Sequence, residues 1–406
     1  MAHEINRREM FKTAAVGVAA GVMGTALPGQ VFAQDAPQET PENLAPMPRK
    51  SLGGTGETVP ILLLGGSQNF DTAYDRLLHR AHADGVTYID TAVGYANGLS
   101  HGQLAPFIEQ IGRKNVWLTS KVMLGGNKVS PETYRDTILA KLPEMRTDYL
   151  DMFFMHSIND PKVLGPEYIA MAADLKKRGI IKYFGFSCHL GRLIECMNAA
   201  AGLGVGAIDC IQFKYNFASY GDVELNKAID ACKKAGIGLI AMKTQASVPE
   251  DKEEVVRWRS DDGFSLHQAK LKAVWADERI DAAVSEMTNM QMLRDNGAAA
   301  RSTRPLSAKD MIKLNHFAIR TASTRCNGCN HLCENAVQGD LKIADTLRFL
   351  MYHECYGKTA DARRLYGELT AAERDFANVD LSGAMGVCPQ RINIRERLAH
   401  AQTQLA

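Results

Sequence analysis

Leu150-Asp151-Met152-Phe153-Phe154-Met155-His156, the stretch Pro166–Arg178, then Ile181-Lys182-Tyr183-Phe184-Gly185-Phe186-Ser187 read as strand, helix, strand. Both flanking runs are too short for a typical helix, and both are rich in the apolar residues of a strand buried on two faces. The stretch between them is long enough for a helix. It opens on Pro166, a residue suited to a first helical turn, and stops at Gly179. A unit of this kind joins two parallel strands.

The alternation continues in both directions. Upstream lie the apolar runs Val59–Gly66, Val86–Ala92 and Val116–Val122; downstream lie Ala207–Tyr215, Gly236–Lys243 and Ile280–Met287. The remaining helical segments are Asp71–Asp84, Gln103–Ile111, Pro131–Glu144, Gly191–Leu203, Val223–Ala235, Ser265–Asp277 and Met290–Ala299. Ser130-Pro131-Glu132 supplies a start signal, and Gly204 and Gly236 supply stops. Eight strands alternating with eight helices over about 250 residues predict an α/β fold, the (β/α)8 TIM barrel. The rival is a doubly wound open sheet, which usually begins with a glycine-rich phosphate turn. Leu64-Gly65-Gly66-Ser67 is not GxGxxG, which favours the barrel.

Chemistry in such a barrel sits at the carboxyl ends of the strands. Strand two ends in Ile89-Asp90-Thr91-Ala92 with Tyr95 just beyond, strand three in Thr119-Ser120-Lys121, and strand four in Phe154-Met155-His156. Asp90, Lys121 and His156 therefore converge on one mouth. A tyrosine is a weak acid of pKa about 10. A neighbouring Lys121 ammonium is expected to lower it, Asp90 to hold the lysine charged, and His156 to orient a carbonyl or share the proton.

Asp90, Tyr95, Lys121 and His156, in that order, resemble the catalytic tetrad of aldo-keto reductases. The resemblance covers roughly residues 48–300. It includes Tyr88-Ile89-Asp90-Thr91-Ala92 with Tyr95, Gly98 and Ser100, and Arg146-Thr147-Asp148-Tyr149-Leu150-Asp151. It implies an oxidoreductase that interconverts a carbonyl and an alcohol by hydride transfer with a nicotinamide cofactor, NAD or NADP. It also implies Ser187 and Gln212 at the carboxamide, Met242 where the family often stacks an aromatic ring, and Ser285 to Asn296, with Glu286 and Asn296 as binding residues, in the adenosine-phosphate region. Cys188 stands where the family usually has Asn, and Glu286 and Met292 where NADP-preferring members carry Lys and Arg. A carboxylate repels a 2′-phosphate but accepts a hydrogen bond from a 2′-hydroxyl. A shift of the alignment by one or two residues would let Arg294 serve instead.

Asn6-Arg7-Arg8-Glu9-Met10-Phe11-Lys12 precedes a weakly apolar run, Ala14 to Leu27, and Val31-Phe32-Ala33 offers a cleavage site. Fourteen residues are too few to span a bilayer. The pattern resembles a twin-arginine export signal over residues 1–33. It implies the twin-arginine export machinery as a partner and a periplasmic or otherwise exported location. Residues 34–49 carry Pro37, Pro41, Pro46 and Pro48 and read as a linker ahead of a barrel spanning 50–305.

Of nine cysteines, five follow residue 325. After a helix over Ser307–Arg320 comes Cys326-Asn327-Gly328-Cys329-Asn330-His331-Leu332-Cys333, and much later Cys388-Pro389. C-x2-C-x3-C followed by a distant Cys-Pro suits a 4Fe–4S cluster held by Cys326, Cys329, Cys333 and Cys388. It departs from the bacterial ferredoxin run by one extra residue and by an insertion over about Leu341–Asp375. Residues 306–406 are thus expected to form a small, mostly helical iron–sulfur domain. Four-thiolate zinc, and disulfides or free thiols, are the alternatives, and Cys355 could substitute as a ligand. Cys188, Cys196, Cys210 and Cys232 read as core thiols.

The composition is that of an ordinary globular chain, 46% hydrophobic and 23% charged over 406 residues. There are 47 basic and 46 acidic residues. Subtracting the three bases (Arg7, Arg8, Lys12) and two acids (Glu4, Glu9) of residues 1–33 leaves 44 of each. Such neutrality does not suit a nucleic-acid partner. The expected partners are a small carbonyl or alcohol, a sugar among the options, and an electron-transfer protein at the cluster. A second reading keeps the barrel only as a ligand-binding frame of an electron-transfer protein.

Overall fold

The computed structural model describes residues 44–124, 130–189, 191–245, 248 and 253–406. The expected export signal, residues 1–33, and residues 34–43 of the linker lie outside the described residues. β1 (Arg49–Ser51) and β2 (Thr58–Pro60) form an antiparallel pair. The strands that follow are β3 (Leu62–Gly65), β4 (Tyr88–Asp90), β5 (Trp117–Val122), β6 (Leu150–Met155), β7 (Ile181–Cys188), β8 (Cys210–Lys214), β9 (Gly238–Met242) and β10 (Ala282–Ser285). They close into a parallel barrel in sequence order, with β10 pairing back onto β3. Sequential parallel strands with helical crossovers are the TIM-barrel arrangement.

The first apolar run divides where one strand was expected. Thr58–Pro60 folds back on Arg49–Ser51, and the barrel strand starts only at Leu62. Pro60 has no N–H to give a central ladder, so it suits the short edge pair. The hairpin drives Leu52, fully buried, against Val59, Leu63, Tyr88, Met152 and Ile240, and this closes the amino-terminal end of the barrel. The first helix begins at Arg76 and not at Asp71, because Asp75 caps it by accepting the Leu78 N–H.

Buried aspartates pin alternate strands at the same end. Asp151 accepts the Leu118 N–H and pairs with Arg113 and Lys182. Asp209 accepts the Phe184 N–H and pairs with Lys176. Asp281 accepts the Leu239 and Gly53 N–H groups and pairs with Lys233. Each carboxylate satisfies a backbone donor of the preceding strand or hairpin and takes a cation from the outer ring. Gly185 lets β7 approach β8: a Cβ there would lie 1.9 Å from the Cys210 carbonyl oxygen. The main core fills the space between barrel and helices and includes Ile89, Leu118, Phe153, Phe186, Ile211 and Leu239.

Beyond the barrel, the helix Ala308–Arg320 is capped by Ser307 and packs Leu314 and Phe317 against Phe217 and Phe264. Helices Ile343–Tyr356, Thr359–Glu368 and Ile394–Leu405 follow and share small cores built on Ile343, Leu347, Ile394 and Leu398, and on Phe349, Leu350, Tyr366 and Leu405. Barrel and C-terminal helices pack as one compact unit, Leu44–Ala406. Among the described residues no helix is long and apolar enough to cross a membrane.

Candidate active site

Asp90 is the last residue of β4 and lies opposite Thr119 of β5. Lys121, two residues further along β5, therefore shares its face. Its Nζ donates to Asp90 Oδ2 at 2.7 Å, to the Thr91 carbonyl at 2.9 Å and to Tyr95 Oη at 3.4 Å. Tyr95 opens a turn in which Ala96 and Asn97 both take left-handed backbone, at φ +50° and +56°. Strain of this kind is kept where the surroundings fix it, often at a functional site. His156, directly after β6, meets the Tyr95 ring edge-on with centroids 5.6 Å apart. The four side chains read from the sequence thus stand together at the barrel mouth.

The electrostatics differ from the sequence expectation in one respect. Tyr95 is pushed well above its usual pKa, chiefly because burial disfavours the phenolate, with Asp90, Tyr352 and Glu286 adding negative charge. Desolvation outweighs the lysine, which burial itself pulls down against the opposing pull of Asp90. The phenol therefore rests protonated. Burial, with the charges of Lys121, Lys243 and Arg348, brings His156 down to about 3, so its ring is neutral. A neutral phenol and a neutral imidazole converging on one point can donate to a carbonyl oxygen without placing charge beside it.

A cleft of about 340 Å³ runs from Tyr95 and Asp90 past Gln212 and Met242 to Ser285, Glu286 and Met292. Gln212 faces Ser187 in the β7–β8 register, but the Ser187 hydroxyl oxygen accepts the Ser157 N–H at 2.8 Å. Asn296 braces the cleft from behind, donating to Ser285 Oγ at 3.1 Å. Glu286 is paired with Lys358 at 2.7 Å.

That lysine belongs to the C-terminal helices, and the sequence reading missed the covering they provide. Tyr352, Tyr356 and Lys358 stand over the mouth, where the Lys243 ammonium lies 5.7 and 5.0 Å from the two tyrosine ring centres. His189 packs 6.2 Å from His156. A second cavity, of about 180 Å³, lies between the mouth and helix Ile343–Tyr356 and shares His189, Lys243 and Cys355 with the cleft. Cys355, which the sequence offers as a substitute ligand, lines both cavities.

Cys326, Cys329, Cys333 and Cys388, with Pro389, line a separate small cavity. The Gly328 N–H donates to Cys326 Sγ at 3.3 Å, and burial pushes the Cys326 thiol up to about 11. All nine cysteines are free thiols. Among the described residues no group of three or more His, Cys, Asp or Glu side chains stands in a metal-ligating arrangement.

The Aldo/keto reductase family model matches residues 59–248. A curated relative, the NADH-specific methylglyoxal reductase of Escherichia coli (strain K12), is 27% identical over 175 residues. The match covers 39% of this chain and 52% of that protein, so the chain spans about half the length of the relative. Among solved structures, a thermostable aldo-keto reductase in complex with the inhibitor epalrestat is 26% identical with a TM-score of 0.54. It covers 66% of this chain and 99% of its own. An aldo-keto reductase of Klebsiella pneumoniae in complex with NADPH shares the fold at 22% identity and a TM-score of 0.52, covering 66% of this chain and 95% of its own.

Proposed function

We propose that the barrel is that of an aldo/keto reductase, and that this chain reduces a small carbonyl compound, or oxidises the alcohol, with NAD(H) or NADP(H). The observation that carries the reading is Lys121 Nζ held between Asp90 Oδ2 and Tyr95 Oη, with His156 across the tyrosine ring. The cleft fits a nicotinamide nucleotide. It begins beside Tyr95, offers the Gln212 amide and the Met242 thioether near the reacting end, and ends at Glu286 and Met292.

A bound nicotinamide supplies the hydride that adds to the carbonyl carbon. The chain's own residues handle the oxygen. As the C=O π electrons move onto oxygen, Tyr95 gives up its phenolic proton to it, forming the O–H bond. Lys121, fixed by Asp90, stabilises the phenolate left behind. His156, neutral, orients the oxygen toward Tyr95. Reversal gives alcohol oxidation, with Tyr95 as base. Glu286 favours an unphosphorylated ribose, as the name of the Escherichia coli relative also suggests, although Lys358 softens its charge.

The reading extends to the tail. Cys326, Cys329, Cys333 and Cys388 would hold a 4Fe–4S cluster, which adds one-electron chemistry or structural support. Support comes from their convergence on one cavity and from the N–H donated to Cys326 Sγ. Export by the twin-arginine route is read from residues 1–33 alone.

The test combines absorbance at 340 nm with native mass spectrometry of the exported protein. Nucleotide oxidation with an aldehyde, retained nucleotide, and about four iron and four sulfide per chain are expected. A chain that binds no nucleotide and reduces no aldehyde overturns the enzyme reading. A colourless protein with one zinc overturns the cluster.

A further inference from the structure

The cavity beneath helix Ile343–Tyr356 is cationic, and the mechanism above does not use its charges. Lys214, Lys243, Arg325, Arg348 and Arg397 line it, against only two carboxylates, Asp345 and Glu354. Both carboxylates are taken. Asp345 pairs with Arg348 Nη2 at 2.8 Å, and Glu354 accepts both terminal nitrogens of Arg397. Arg325 is spent on the Thr321 and Ala318 carbonyls, and Lys214 on Asn327 at the cysteine loop. That leaves Lys243 without a carboxylate partner among the described residues, in a cavity it shares with Arg348, whose ion pair with Asp345 leaves Nε unpartnered.

Lys243 rests on the faces of Tyr352 and Tyr356, and among the described residues no carboxylate lies within 4.0 Å of it. Its backbone is left-handed, φ +57°, and its carbonyl is held by the Asn216 side-chain amide at 3.1 Å. Ser157, across the same cavity and next to His156, is left-handed too, at φ +56°. Two non-glycine residues in this region on one cavity wall mark a site whose geometry is over-determined. On Arg348, Nε is buried and has no hydrogen-bond partner. The guanidinium, its side chain 42% exposed and its Nη2 on Asp345, keeps donors that an anion in the cavity could take. The charges of Lys243 and Arg348 both reach His156 and His189 and help depress the two rings, so the field of this cavity acts on the reacting point.

We propose that the substrate is an anionic carbonyl compound, whose carboxylate or phosphate docks between Lys243 and Arg348 while its carbonyl meets Tyr95 and His156. This rests on the carbonyl-reductase reading above and names its substrate class. The appended C-terminal helix supplies half of the acid-binding site. That explains why it lies over the mouth and why Tyr352 and Tyr356 cover the lysine.

The test uses the full chain with NADH and NADPH and matched pairs of aldehydes. Succinic semialdehyde against butanal isolates a carboxylate; glyceraldehyde 3-phosphate against glyceraldehyde isolates a phosphate. The charged member of at least one pair should have a kcat/KM about 10- to 100-fold higher, mostly through KM, as expected for a charge-assisted hydrogen bond. Lys243→Met and, separately, Arg348→Gln should each cut that ratio at least fivefold. Calorimetry with succinate and with inorganic phosphate provides a readout free of turnover. One of the two should bind the wild type and not Lys243→Met, and which one binds identifies the acid. Equal or better use of the neutral aldehydes overturns the inference while leaving the reductase reading intact. Turnover of no aldehyde defeats both. Binding of neither anion, or binding unchanged in both variants, overturns the anion site.

Discussion

Replacing Lys121 by methionine tests the centre of the site most directly. The lysine side chain is 1% exposed and that of Asp90 4%, and the two meet at 2.7 Å. Among the described residues Asp90 Oδ1 has no partner, and the lysine is the one side-chain donor to this carboxylate. Removing it leaves a buried charge uncompensated, which costs about 3–5 kcal/mol. Methionine keeps most of the volume, so little of that loss comes from a cavity. Asp90→Asn in the same background should recover at least half of it, because the orphaned charge disappears. Urea unfolding of the two single variants and the double variant at pH 7 measures the loss and its recovery. A loss under about 1 kcal/mol for Lys121→Met, with no coupling to Asp90, would refute the buried pair.

Further outcomes follow from the same geometry. Tyr95→Phe should lower kcat by about 100- to 10,000-fold with nucleotide binding retained, since only the proton donor is lost; steady-state kinetics and a nucleotide titration check this. His101 is held down to about 4 and His156 to about 3, both by burial, so each is neutral in the fold while the unfolded chain takes up a proton near pH 6.5. Stability should therefore be fully present above about pH 6.5 and fall below it, by about 1.4 kcal/mol per pH unit for each group, down to about pH 4 for His101 and pH 3 for His156. A urea midpoint that is flat between pH 6.5 and 4 would contradict the burial. Asp281→Ala should cost about 3 kcal/mol by orphaning the Leu239 and Gly53 N–H groups and releasing Lys233, read as a drop in melting temperature without change in KM. Cys329→Ser should leave aldehyde reduction measurable and lower bound iron, as shown by metal analysis.

The barrel was legible because a parallel strand buried on both faces leaves a run such as Leu150–Met155, and because caps such as Ser130 and Ser265 act within one turn of chain. Period and local hydrogen bonding are properties of sequence. Asp90, Lys121 and His156 were legible for the same reason, each lying at or just past the end of a strand whose position the pattern sets, whereas Tyr95, in the turn beyond, was legible through the family resemblance. The state of Tyr95 was not. Charge adjacency suggests a lowered pKa, but the direction depends on how much water the surrounding fold removes, and helix Ile343–Tyr356 contributes to that removal. Nor could spacing show that Lys358 would meet Glu286, 72 residues away, or that Lys243 and Arg348 would face one cavity. Those pairings depend on how an appended set of helices docks on the barrel. Docking is decided by the shape and burial of surfaces assembled from distant segments, which no local pattern records.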